Sequence, residues 1–501
     1  MSRRVTILAG TAVLLLGTAA HVGSPDTWFQ GMAGPYPVRI LVRSPGVIPG
    51  LADIVVTVSG GGVKSVAASP AYYNADARGI PPPDTARPVP GRPDSWTVPL
   101  WIMVSGSYGV RVSVSGSRGQ GTALVPVSAS ATRVLSFDHG LGALLAGLGL
   151  VLLAGAVTLV GAAVRESVLS PGVAPDPLQR RRARRAKGVA TLLFGSLLAG
   201  GKLWWNAVDR DYRRGLDRRW TATAAVAPGP AGPGLRFVIA DSLWQGRGWR
   251  ERASTPLIPD HGKLMHLFLV RESDASAFAH LHPVSADSVS FSTPLPPLPA
   301  GRYRVFADIT HESGFARTLT ASVELPPPLA AAAARGDPDD AWFVGDAVDS
   351  IAPLAGGARL VWEGRPARMV PDADAGLRFV VREPDGSVGT VEPYLGMSGH
   401  AVVVREDGNV YIHLHPMGTV SLAAAVALRE RRPSDSAWGT LGRRLTDAGV
   451  LGPHAEHPAE LEGRLSFPYA FPDTGSYRLW LQVKRKGKIA TAAFRVTVES
   501  P

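Results

Sequence analysis

The chain has 501 residues, of which 45% are hydrophobic and 19% charged, with 56 Gly and 43 Pro. That composition excludes a disordered chain and suits a turn-rich β protein of about three domains. There is no cysteine, which excludes disulfides, thiolate metal sites and a Cys nucleophile, so a metal here must take His, Met, Asp or Glu. The net charge of +11 is uneven: Arg180 to Lys187 holds six positive charges.

In chain order, Arg3 and Arg4 form a positive n-region, Val5 to Gly17 an apolar core, and Thr18-Ala19-Ala20 a small-residue cleavage pattern. This reads as a secretory signal over 1–20, with an uncleaved anchor as the alternative. Residues 22–137 read as an extracytoplasmic β-sandwich. Val38 to Val42, Ile54 to Val58, Trp96 to Ile102, Tyr108 to Val114 and Thr122 to Val127 are its strands, separated by Gly/Pro turns. It holds no His between His21 and His139, and no chemistry is assigned to it.

Residues 140–164 carry no charge and are long enough to cross a membrane. Residues 188–208 read as a second span, with Lys202 snorkelling and Trp204 and Trp205 at the interface; an interfacial helix is the alternative. The loop between them, 165–187, has seven Lys/Arg against two acids, which places it in the cytoplasm. The expected location is thus a bacterial cytoplasmic membrane with the large domains extracytoplasmic. The basic run is juxtamembrane and brings no aromatic platform, so the expected partner is membrane lipid and not nucleic acid.

Ala/Pro/Gly-rich stretches at 224–234 and 326–338 read as linkers isolating two further units, 234–325 and 339–499. These units repeat one another. The first has His266 to Arg271, then His280 and His282 before Pro283, then Gly301 and Tyr303; the second has His400 to Arg405, then His413 and His415 before Pro416, then Gly475 and Tyr477. The N-terminal domain echoes the ending with Gly106 and Tyr108. The second unit carries an insertion, 418–462, with helices expected at 420–432 and 441–448. The expected fold is mainly β: tandem immunoglobulin-like β-sandwiches with two central transmembrane helices.

Asp407-Gly408 signals a type I′ hairpin, and centring a two-residue turn there puts His400 opposite His415 with His413 on the same face. A turn one residue longer, centred on Asp274, pairs His266 with His282 and places His280 beside them. Opposed positions have Cβ atoms ~5 Å apart, so each hairpin presents three imidazoles together. Three neutral imidazoles form a ligand set for copper or zinc. Further candidates are Asp260, His261, Met265 and His311 near the first triplet, and Met397, Met417, His454 and His457 near the second. The methionines favour copper, with zinc the alternative. His261 and His311, taken singly, read as structural or exposed, and no role is assigned to His21 or His139.

The runs Pro393 to His400, His413 to Pro416 and Phe471 to Leu479 resemble a unit of uncharacterised bacterial membrane and secreted proteins, and Asp260 to His266 looks like a second version of its opening. The closing hairpin is similar to that of FixH/YtkA-like immunoglobulin-type domains. The resemblance covers 234–499; it implies fold and location, and some such proteins accompany heavy-metal systems. The expected function is membrane-anchored metal buffering or delivery, with a metal transporter or oxidase as partner. The alternative is a structural or interaction module of the envelope without metal. An enzyme is not expected: a zinc hydrolase or lyase needs a general acid or base, and no spacing singles out Glu312 or Glu406.

Overall fold

A computed structural model describes residues 21–23, 26–76, 79–170, 172–229, 232–245, 256–327, 336–452 and 460–501. The expected signal peptide, His454 and His457 lie outside the described residues. The chain divides into two compact units: residues up to 129 with 219–501, and Ser130–Arg218.

The smaller unit is a helical hairpin. Helix α1 (His139–Glu166) is capped by Asp138, whose Oδ1 accepts from Leu141 N. It is the one helix among the described residues long and apolar enough to cross a membrane. Helix α2 (Pro177–Arg214) starts with a capping box, Asp176 and Gln179 satisfying each other's backbone N–H. The basic run 180–187 lies in the first turns of α2 rather than in a loop, and α2 is not a second apolar span. Its uncharged stretch, from Gly188 to Gly201, rises only about 21 Å at 1.5 Å per residue, short of a ~30 Å hydrocarbon core.

The larger unit is mainly β, built from layered antiparallel sheets. Its N-terminal part packs the sheet 26–33/36–43/50–58/92–102/87–89 beside the sheet 119–129/106–116/63–72/84–85. Three tyrosines share one tie: Tyr108 donates to Val104 O at 2.9 Å, Tyr303 to Pro299 O at 2.8 Å and Tyr477 to Asp473 O at 2.7 Å. Each follows a glycine at φ between 132° and 144°, a conformation closed to most side chains. This is the physical content of the three Gly-x-Tyr signals, and it matches the tyrosine corner of immunoglobulin-type sandwiches.

The linker expected at 224–234 is a strand hairpin instead: Ala222–Gly229 pairs with Gly232–Ile239 over its whole length. Its small residues are compatible with pairing, and its prolines sit beside the turn. The segment after the second expected linker also returns to the first unit, where Ala341–Val344 pairs with Ala277–Leu281. The insertion forms helices at Leu422–Glu430 and Thr440–Asp447.

Two sheets position the site. The first orders 257–258/301–311/266–271/277–281/341–344, and the second 21–22/410–414/400–405/475–485/488–498. The strands His266–Arg271 and His400–Arg405 are buried on both faces, which is why they read as unbroken apolar runs. One face of each fills its own sandwich: Leu267 and Leu269 in the first, Ala401 and Val403 in the second. The other faces meet in a shared layer containing Phe268, Val270, Phe278, Phe306, Val402, Val404, Tyr411 and Trp480. Phe278 stacks on Trp480 at 4.7 Å and Phe306 on Tyr411 at 4.3 Å. These are matched contacts, because Phe306 and Trp480 hold the same register positions opposite Phe268 and Val402.

Candidate metal centre

The histidines occupy one end of this shared layer. In the first hairpin Leu267 pairs with Leu281 and Phe268 with His280; in the second Ala401 pairs with Leu414 and Val402 with His413. One step further His266 stands across from His282 and His400 across from His415, with ring centroids 5.1 and 5.0 Å apart. The second turn reaches this register without type I′ geometry: Gly408 has φ 75°, while Asp407 stays out of the left-handed region and accepts from Asn409 N.

The two triplets face each other across the layer. His413 lies 5.5 Å from both His266 and His280, and His280 lies 6.3 Å from His400. His261 completes the group, 5.5 Å from His400, 5.3 Å from His415 and 6.2 Å from His266. All seven rings are buried, none more than 7% exposed. The sequence offers His261 as a fourth ligand near the first triplet and, taken singly, as structural; the structure brings it to His400 and His415 of the second hairpin instead. It sits on the turn Asp260–Lys263 leading into the first, and a signal was available in the likeness of that opening to the one before His400.

Hydrogen bonds fix the tautomers, because carbonyl and carboxylate oxygens only accept. His282 Nδ1 donates to Asp340 Oδ1 at 3.0 Å, His415 Nδ1 to Val420 O at 2.9 Å and His266 Nε2 to Asp260 O at 3.2 Å. His280 Nδ1 donates to Gln482 Oε1 at 2.9 Å, the Gln482 amide nitrogen being turned to Thr491 Oγ1. The remaining nitrogens of these four rings therefore carry lone pairs. His413 Nδ1 lies 3.5 Å from Asp308 Oδ2. Gln482 and Asp308 hold matched positions, opposite His400 and His266, so each half supplies the polar group behind the other half's second histidine.

The inner nitrogens have nothing to accept. His282 Nε2, His413 Nε2, His415 Nε2 and both nitrogens of His400 are buried without a hydrogen-bond partner among the described residues. His266 Nδ1 and His280 Nε2 face each other at 3.0 Å. Two lone pairs at that separation repel unless a cation or proton lies between them. A tetrahedral ion about 2.0 Å from each of two nitrogens would set them about 3.3 Å apart. Outer nitrogens tied to acceptors with inner lone pairs converging is the arrangement that orients imidazole ligands.

Electrostatics agree. Burial pushes His266 down to about 4 and holds His280, His282, His400 and His413 well below the usual imidazole range, with His415 lowered by the same cause. All six are neutral at pH 7, the ligand form. Burial also raises two nearby acids, Asp308 to about 6 and Asp340 to about 7.

The structure places the other described sequence candidates as follows. Met265 points into the core of its own sandwich, on the opposite face from His266. Met397 and Met417 are part-buried in the turns 394–397 and 415–418. His311 packs edge-on against Trp220 and Trp244. Asp260 lies behind the cluster: its Oδ1 is 3.8 Å from His261 Nε2 and accepts from Ala423 N. Two of the convergent groups among the described residues, His266/His280/His282 and His261/His400/His415, are imidazole throughout. Neither acid weighed for catalysis is at the cluster: Glu312 accepts from Gly439 N and Gly442 N, and Glu406 pairs with Arg478.

Comparison with known proteins adds no activity. The family described as Domain of unknown function (DUF8832) matches residues 249–326 and 355–500. No curated protein matches. An engineered protein is similar at 19% identity over 18% of this chain and 20% of its own length, with a TM-score of 0.15. CopC from Methylosinus trichosporium OB3b is similar at 20% identity over 22% of this chain and 99% of its own, TM-score 0.15. A putative membrane anchored protein from Corynebacterium diphtheriae is similar at 9% identity over 95% of this chain and 96% of its own, TM-score 0.15.

Proposed function

We propose that the chain is a membrane-anchored, extracytoplasmic metal-binding protein that buffers or delivers a late first-row metal, copper before zinc. One observation carries this reading: buried lone pairs from two hairpins converge while the outer nitrogens of the same rings are tied to acceptors. Imidazole suits both copper and zinc. The preference for copper over zinc follows the Irving–Williams order, in which a nitrogen donor set binds copper more tightly than zinc.

Helix α1 supports the anchor. The secretory signal pattern supports an extracytoplasmic location for the unit that holds the histidines, residues 21–129 with 219–501. The three tyrosine corners favour immunoglobulin-type sandwiches, in keeping with the FixH/YtkA-like resemblance. A transporter or oxidase that exchanges metal with this site is the matching partner.

The test is a competition titration of the full-length protein in detergent with Cu(I), Cu(II) and Zn(II), on the native chain and on His280→Ala/His282→Ala. The expected result is chelator-resistant binding of the native protein that weakens at least 100-fold in the variant. A folded native protein that binds none of the three ions would overturn the reading.

A further inference from the structure

Resting on the metal-binding reading, we propose that the cluster is a two-metal centre for a pair of copper ions. One ion is held by His266, His280 and His282, the other by His261, His400 and His415, with His413 between them.

The seven rings sort into two convergent sets. Within each of these triplets the ligand nitrogens lie within 4.8 Å of one another. The first set comes wholly from the first hairpin. The second crosses the shared layer: His400 and His415 come from the second hairpin, while His261 reaches over from the first half. That asymmetry is built by a single residue. The turn Asp260–Lys263 holds His261 at φ 52° and Gly262 at φ 81°; the matching turn Tyr394–Met397 holds Leu395 at φ 50° and Gly396 at φ 76°. The same backbone presents an imidazole on one side and an aliphatic chain on the other. With Leu at both places each hairpin would keep its own triplet; His261 supplies a third nitrogen to His400 and His415 and leaves His413 over.

His413 belongs to neither triplet but adjoins both. Its ring lies 4.5 Å from His415 and 5.4 Å from His400 on one side, and 5.5 Å from His266 and His280 on the other. Its Nε2 is buried without a partner among the described residues. It is placed to serve as a fourth ligand to either ion.

The surrounding charge fits two ions better than one. Asp340 backs His282 in the first set, Asp260 lies 3.8 Å from His261 in the second, and Asp308 lies 3.5 Å from the shared His413. Carboxylates just outside the ligands offset the cost of burying cations, and here one stands behind each set and one behind the residue between them.

The test loads full-length protein in detergent with Cu(II) without reductant, dialyses against a weak chelator, and measures copper per chain and the integrated Cu(II) EPR signal. The variant is His261→Leu, the residue the matching turn carries at the same φ, with melting of the metal-free proteins as the folding control. The expected result is two copper ions per native chain with an EPR integral below the copper content, because neighbouring Cu(II) ions couple. His261→Leu should retain one ion, whose signal accounts for all its copper. One uncoupled ion in the native chain, unchanged by His261→Leu and lost in His280→Ala/His282→Ala, would overturn the pair and leave metal binding standing. No retained copper would overturn both.

Discussion

His266 Nδ1 and His280 Nε2 face each other at 3.0 Å, although the other nitrogen of each ring is already committed, to Asp260 O and to Gln482 Oε1. Without a cation one ring must change tautomer, at the expense of a buried hydrogen bond worth about 1 kcal/mol. A metal ion removes the conflict and keeps both outer bonds. The first prediction concerns the residue that enforces the conflict. Gln482→Leu leaves His280 free to turn its Nε2–H inward, so metal affinity should fall about 10–100-fold. Competition titration measures this, and far-UV circular dichroism should be unchanged.

The shared aromatic layer brings the two hairpins together. Trp480 is fully buried and stacks on Phe278 at 4.7 Å. Trp480→Ala should destabilise the metal-free protein by about 3–5 kcal/mol, seen as a lower denaturation midpoint. It should also weaken metal binding, because the two triplets are held face to face by this packing and not by a covalent link.

Acid should unfold the metal-free protein early. The six histidines with lowered values titrate at the ordinary 6.5 in the unfolded chain, whereas His266 titrates at about 4 in the fold. Between those values the unfolded state binds more protons, so stability is fully present above pH 6.5 and is lost as pH falls toward 4. Asp308 and Asp340 act oppositely, since their raised values favour the fold at low pH. Six groups against two sets the net direction. Denaturation midpoints in chelator from pH 7.5 to 4.5 check it; a flat profile would contradict the burial of neutral imidazoles.

Membrane association should reside in α1. Leu150, Val151 and Leu152 are 67–73% exposed at its middle, and a carboxylate there is costly in hydrocarbon. Leu152→Asp with Val151→Asp should shift the protein from the membrane pellet toward the soluble fraction, whereas Leu192→Asp on α2 should do so less.

Much of the site was legible because strand registers are arithmetic. Once the turns at Asp274 and Asp407-Gly408 were located, alternation alone put His266, His280 and His282 on one face and His400, His413 and His415 on another. What the sequence does not carry is the packing of those faces against each other. The strands are apolar on both sides, so the pattern cannot say which face meets which partner. The place of His261 beside the second triplet is hidden for the same reason: those neighbours are 139 or more positions away, and only the tertiary contact joins them. The second span failed on length, as an apolar stretch from Gly188 to Gly201 ends in a helix too polar at both ends to cross. The linker at 224–234 failed because Ala and Gly mark loops by frequency but form strands when a paired edge is offered.

X-ray absorption on the copper-loaded full-length protein tests the central claim most directly. The account predicts a first shell of nitrogen alone at about 2.0 Å with imidazole outer-shell scattering, and its loss in His280→Ala/His282→Ala with His413→Ala/His415→Ala. A shell containing sulfur, or one dominated by oxygen and untouched by those substitutions, would place the metal elsewhere and contradict the histidine cluster as its site.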